Sequence, residues 1–120
     1  MRLWCAALAL VTSIVPVYAE SGFTGSSLDK SCRDIAFQRS TGTWQDGFDQ
    51  GACLGVVHTL LMISGVELPS EFRFCAPSNA TVQQGLRVLV KRLDDHPEEL
   101  HKPVPVIALR AFHVAWPCQK

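Results

Sequence analysis

The sequence predicts an all-α fold: a small four-helix domain stapled by two disulfides, behind an N-terminal signal peptide. Three observations carry this expectation. Apolar residues recur at the 3.6-residue period of a helix in four successive stretches, and no strand-type alternation competes with them. Capping and breaking residues fall between those stretches. Four cysteines, Cys32, Cys53, Cys75 and Cys118, follow the leader at wide spacing in a 120-residue chain. Such spacing suits a disulfide framework in an exported protein and lacks the close-set cysteine pairs of a structural zinc site.

Residues 1–19 have the three-part grammar of a secretory signal peptide. Arg2 supplies the positive start. Residues 3–15 are apolar apart from Thr12 and Ser13, and Pro16 ends the run. Val17 and Ala19 place small residues at the −3 and −1 positions before Glu20, so cleavage is expected after Ala19, taking Cys5 with the leader. The run is shorter than the roughly 20 apolar residues that cross a bilayer, so no membrane association is expected after cleavage. The remaining residues, 20–120, are enough for one domain. Lys plus Arg equal Asp plus Glu at 11 each. No basic stripe interleaved with aromatics is present, so nucleic-acid binding has no electrostatic support.

The first helix is expected at about residues 27–38. Leu28, Cys32, Ile35 and Ala36 share one face, Ser26 or Ser27 serves as the cap, and Asp29 and Asp34 suit the solvent side. The second is the longest, about residues 44–64, opened by Thr43 and Asp46 in a capping-box arrangement. Trp44, Phe48, Ala52, Val56, Leu60 and Ile63 form its apolar stripe, widened by Cys53, Val57 and Leu61. Gly47, Gly51 and Gly55 recur every four residues. Each costs about 1 kcal/mol against Ala in a helix interior, so their register predicts close packing of another backbone. Residues 65–79 form a connection. The third helix starts near Thr81, where Thr81 and Gln84 match the capping box. Val82, Leu86, Leu89, Val90 and Leu93 give it the cleanest amphipathic face in the chain. Pro97 ends it by disfavouring helical geometry at His96. The fourth helix spans about residues 104–115, with Pro103 and Pro105 at its entry and Ile107, Ala108, Ala111, Phe112 and Ala115 inward.

This arrangement predicts the disulfide pairing. A short link makes helices three and four antiparallel, so the start of one lies beside the end of the other. Cys75 precedes the first and Cys118 follows the second, and these should pair. Cys32 and Cys53, on the apolar faces of the first two helices, should pair with each other.

No nucleophile signature, phosphate-binding loop or metal-ligand spacing is present. No catalytic residue, metal or cofactor is therefore expected. The cluster Asp94-Asp95-His96-Pro97-Glu98-Glu99-Leu100-His101 reads as a solvated connector and as a candidate protein-binding tip. His58 is expected as a satisfied buried histidine, and His113 on the outer side of its helix. Trp44, Phe48, Phe112 and Trp116, at helical spacing, read as core.

From Phe74 onward the chain reads F-C-A-P-x3-T-V-x3-L-x-V-L-V-K-x-L-x2-H-P-E-x2-H, then A-L-x-A-F and W-P-C. This resembles the Tai/Rap family of type VI secretion amidase immunity proteins. Gly51-x-Cys53-x-Gly55 resembles that family's second-helix segment. Val56, Thr59, Arg92 and Trp116 depart from its usual residues as core or surface variations. The resemblance implies a helical, often homodimeric, periplasmic protein that binds a peptidoglycan-cleaving amidase effector and occludes its active site. The matching contact would be the connector, with Asp95, His96, Glu98, Glu99 and His101 as partner-binding residues. Two other roles are compatible with a small helical disulfide domain: a periplasmic stress or chaperone-like protein, and a small-molecule binder using the apolar helix groove.

Overall fold

The structure is a computed structural model and describes residues 22–39 and 42–119. The leader, its cleavage site and Ser40-Thr41 of the expected break lie outside the described residues. Four α-helices and no sheet make up the described chain: α1 Gly25–Ala36, α2 Trp44–Met62, α3 Val82–Asp95 and α4 Val104–Ala115. A single 3-10 turn, Pro97–Glu99, sits in the link between α3 and α4.

Local signals set most of the boundaries. Thr81 and Gln84 form the reciprocal capping box at the start of α3, satisfying two backbone donors that a helix end leaves free. Thr43 Oγ1 accepts from the Asp46 backbone at the start of α2. Helix α1 begins earlier than its serines suggest. Its cap is Thr24, whose hydroxyl oxygen accepts from Ser27 N. The reason lies across the fold: Gly25 N and Ser26 N donate to the Lys102 and Leu100 carbonyls, at 3.0 and 2.8 Å. Only a glycine fits there, since a Cβ on Gly25 would meet Ile107 Cδ1 at 2.8 Å and the Leu100 backbone at 3.1 Å. Gln38, with φ of 55°, takes the chain out of α1.

Helix α3 is central and packs against the other three helices. Its Leu86, Leu89, Val90 and Leu93 are buried, together with Val104, Ile107, Ala108 and Phe112 of α4. Gly85 lets α2 approach, because a Cβ there would meet Val57 Cγ1 at 2.7 Å. Phe74, from the connection before α3, is also a core residue, 5.3 Å from Phe112 between ring centroids. Full burial of a side chain of this size stabilises the fold by about 2–3 kcal/mol. Its neighbour in sequence, Cys75, is bonded to Cys118, and Cys32 to Cys53. Both predicted pairs are therefore present. The first lies at the outer edge of the domain, whereas Cys32 and Cys53 are fully buried.

Several single-residue expectations are corrected. Asp34 is buried rather than solvated, held by Lys30 Nζ at 2.6 Å with Arg39 at 3.4 Å. His58 is exposed. His113 is half-buried and turned to the connection, its Nδ1 2.6 Å from the Arg73 carbonyl oxygen. Trp44 and Phe48 are exposed, while Phe112 is buried and Trp116 half-buried. These α2 corrections share one cause. Cys53 is tied to α1, which turns Cys53, Val57 and Leu60 inward and carries the opposite face outward. Among the described residues no atom lies within 4 Å of a Cβ placed on Gly47, Gly51 or Gly55, so none of their backbone packs on the glycines.

Candidate functional site

The link between α3 and α4 is short and acidic, and the fold holds it from three sides. Behind it, the start of α1 supplies the two backbone hydrogen bonds at Gly25 and Ser26, and Val104 N donates to the Phe23 carbonyl at 2.8 Å. At its α3 end, Arg33 of α1 reaches Asp94 at 2.6 Å while also holding Asp29 at 2.8 Å. Through its middle runs an ionic hub centred on Glu99.

Glu99 belongs to the 3-10 turn and is only 6% exposed. Arg92 of α3 donates to its Oε2 through Nε and Nη2, each at 2.9 Å. Arg110 Nη1 of α4 donates to Oε1 at 2.6 Å, and Lys102 Nζ to the same oxygen at 3.2 Å. Burial favours the neutral acid, but hydrogen bonds from Arg92, Arg110 and Lys102 outweigh it, and the Glu99 pKa falls to about 2. The carboxylate is thus ionised at any physiological pH and ties both flanking helices to the turn between them. Sequence reading places Glu99 among the contact residues. The structure places it beneath the surface.

The other predicted residues divide cleanly. Asp95 is exposed and paired with Lys91 one helical turn earlier, at 2.6 Å, and that hydrogen bond holds its carboxyl below the ordinary range. Glu98 is exposed and 2.9 Å from Nδ1 of half-exposed His96, which lowers its pKa likewise. The ring needs no charge for this contact, since neutral imidazole can carry its proton on Nδ1. His101 is exposed and makes no hydrogen bond among the described residues. The turn therefore presents Glu98 and His101 outward, with Asp95 and His96 on its α3 shoulder. Acidic, imidazole and backbone groups displayed on a fixed turn are suited to protein recognition: acceptors and a ring nitrogen are available, and little ordering remains to be done on binding.

Beside this shoulder a groove of about 200 Å³ runs between α3 and α4, lined by apolar Val88, Ala111 and Val114 and by Lys91 and His96. It has room for a large apolar side chain. Sequence reading missed the groove, since its lining comes from both α3 and α4 and depends on how the two helices lie against each other. It also missed the hub, because Arg92, Lys102 and Arg110 are spread over two helices and a loop. The pairing of four charges in a turn is a tertiary property. Among the described residues, no group of three or more His, Cys, Asp or Glu is arranged to hold a metal ion. Nor, among them, is any helix long and apolar enough to cross a membrane.

Comparison with known families gives one match. The model for the family described as Rap1a immunity proteins matches residues 24–118. That span runs from the α1 cap to the last disulfide cysteine and includes the whole connector. Neither the search of curated proteins nor the search of solved structures returned a match.

Proposed function

Because this chain belongs to the Rap1a immunity protein family, we propose that it is a periplasmic immunity protein that binds a type VI secretion amidase and occludes the enzyme's active site. Membership implies a non-enzymatic role exercised by binding a partner effector. The finer reading names that effector as a peptidoglycan-cleaving amidase and the connector as the element that blocks it. The family match carries only the immunity role and a partner effector; the amidase as that effector is our reading, and the posture of the connector supports its part as the blocking element.

Inhibition of this kind is steric. A rigid, solvent-facing turn enters the cleft and excludes substrate, and polar groups on the turn replace the hydrogen bonds that water made there. Asp95, His96, Glu98 and His101 would make direct contact. Glu99 would contribute by holding the turn in shape, since its oxygens are already used by Arg92, Lys102 and Arg110. Cleavage of the leader after Ala19 would deliver the chain to the compartment where peptidoglycan is attacked and where the two disulfides form.

The test is a titration of a cognate amidase with the mature, oxidised protein, reading peptidoglycan hydrolysis. Stoichiometric loss of activity, weakened by Glu98→Ala and His101→Ala at unchanged thermal stability, is the expected result. Full inhibition by a protein with alanine across Asp95, His96, Glu98 and His101 would remove the connector from the mechanism.

A further inference from the structure

We infer that the groove between α3 and α4 is the anchor site for one aromatic side chain of the partner effector, presented beside the cleft that the connector enters. This deepens the function proposed above and rests on it for the source of the ring. Continuity, size and charge point the same way. Asp95 and His96 line the groove and also belong to the connector's contact residues. A protein that covers the α3 shoulder therefore covers the groove as well. An empty groove under that cover would hold water against apolar side chains. Val114, on its α4 side, is 68% exposed; among the large apolar side chains described, only Trp44 and Met62 are more exposed. Covering it removes apolar surface from water, which favours association.

Size sets the scale of the occupant. The groove offers about 200 Å³. An apolar cavity of about 150 Å³ binds a benzene molecule, so one six-membered ring is accommodated. This is the dimension of a single side chain and not of a helix or a strand.

Charge selects its chemistry. Lys91, Arg92 and the His96 imidazole line the groove with one carboxylate, that of Asp95. Asp95 is bonded to Lys91 at 2.6 Å and Arg92 to Glu99 at 2.9 Å. Their ionic partners are thus supplied from within the chain. A charged side chain entering the groove would lose hydration without gaining an unpaired counter-charge. An apolar side chain meets Val88, Ala111 and Val114 at no such cost. Among apolar side chains the aromatic ones carry an electron-rich face that attracts ammonium and guanidinium groups, and aliphatic ones do not. An aromatic anchor in an apolar pocket, surrounded by polar contacts that exclude water, is the arrangement that concentrates binding energy in protein interfaces. Here Asp95, His96 and Glu98 supply the polar contacts beside it.

Two measurements on the mature, oxidised protein test this. In the first, Val114→Glu should raise the concentration needed to half-inhibit a cognate amidase at least about thirtyfold, the loss expected at a hot spot. Its circular-dichroism spectrum and melting temperature should not change, because the side chain is exposed, and Val114→Ile should inhibit as the wild type does. Equal inhibition by Val114→Glu and wild type overturns the inference and leaves the connector reading standing. A wild type that inhibits no amidase removes the proposed function and, with it, the amidase as the source of the ring. The second measurement needs no effector and decides the chemistry of the groove alone. Benzyl alcohol added to methyl-labelled protein should give saturable nuclear magnetic resonance shifts confined to the Val88, Ala111 and Val114 methyl groups. Cyclohexylmethanol, similar in size but without an electron-rich face, should bind about two- to fivefold more weakly. Absence of saturable shifts, or equal binding of the two alcohols, overturns the aromatic site. So do shifts of these methyl groups on raising the protein concentration alone, which would place a second copy of this chain in the groove.

Discussion

Replacing Glu99 with Gln removes one charge and leaves the shape of the turn nearly unchanged. The structure sets the expected cost. Glu99 is ionised against an unfolded pKa of 4.5 and a folded pKa of about 2. That difference corresponds to about 3 kcal/mol of stabilisation of the charged form. Gln retains an acceptor oxygen while losing the attraction of three cations, and the loss of one hydrogen bond to a charged group alone costs about 1.5–3 kcal/mol. The sign is that of a depressed carboxylate. Its stabilisation is fully present above pH 4.5 and disappears as pH falls through the folded value near 2. Urea unfolding of wild type and Glu99→Gln should thus differ by about 3 kcal/mol at pH 7 and by only about 1 kcal/mol near pH 3. A difference below about 0.5 kcal/mol at pH 7, the size of an ordinary surface substitution, would refute the hub. So would a large difference that does not change with pH.

Other perturbations separate further parts of the account. Gly85→Ala should lower stability by about 1–2 kcal/mol in denaturant melts, because overpacking against buried Val57 exceeds the gain in helix propensity. Under graded reduction with timed alkylation, Cys75 and Cys118 should be labelled before the buried Cys32 and Cys53; simultaneous labelling would mean that the bridges open only on global unfolding. In the chain-entropy treatment, removing the Cys32–Cys53 bridge costs about 3 kcal/mol and removing Cys75–Cys118 about 4 kcal/mol, before any loss of packing. Calorimetry of the paired Cys→Ser variants checks that order. Glu98→Ala and His101→Ala should each weaken effector binding by roughly tenfold, about 1.4 kcal/mol, at unchanged melting temperature.

The helices were legible because their signals are local. Thr81 and Gln84 cap α3 with the residues a capping box requires, and Pro103 and Pro105 mark the start of α4. The disulfides followed from topology, since antiparallel α3 and α4 bring Cys75 to Cys118. Misreadings arose where tertiary contacts outweighed local pattern. Helix α1 starts at Gly25 because the connector backbone bonds there, which Ser26 and Ser27 do not reveal. Sequence reading puts Cys53 and Val57 on one widened stripe with Trp44 and Phe48, but the Cys32–Cys53 bond turns only the Cys53 side of α2 inward and leaves Trp44 and Phe48 exposed. At the connector, the sequence displayed the acidic run but not its division of labour. Glu98 and Glu99 are adjacent and chemically alike, yet one is exposed and the other buried beneath Arg92 and Arg110, because successive residues of a tight turn point in different directions.

The central claim is that this chain inhibits a cell-wall amidase. The measurement that tests it most directly uses the mature, oxidised protein as bait in a lysate of type VI secretion-competent bacteria, followed by an assay of peptidoglycan hydrolysis on whatever is recovered. The account predicts tight recovery of one cell-wall amidase that is inactive in the complex and regains activity when the bait is removed. Recovery of an amidase that remains fully active in the complex, or of no amidase at all, would contradict it.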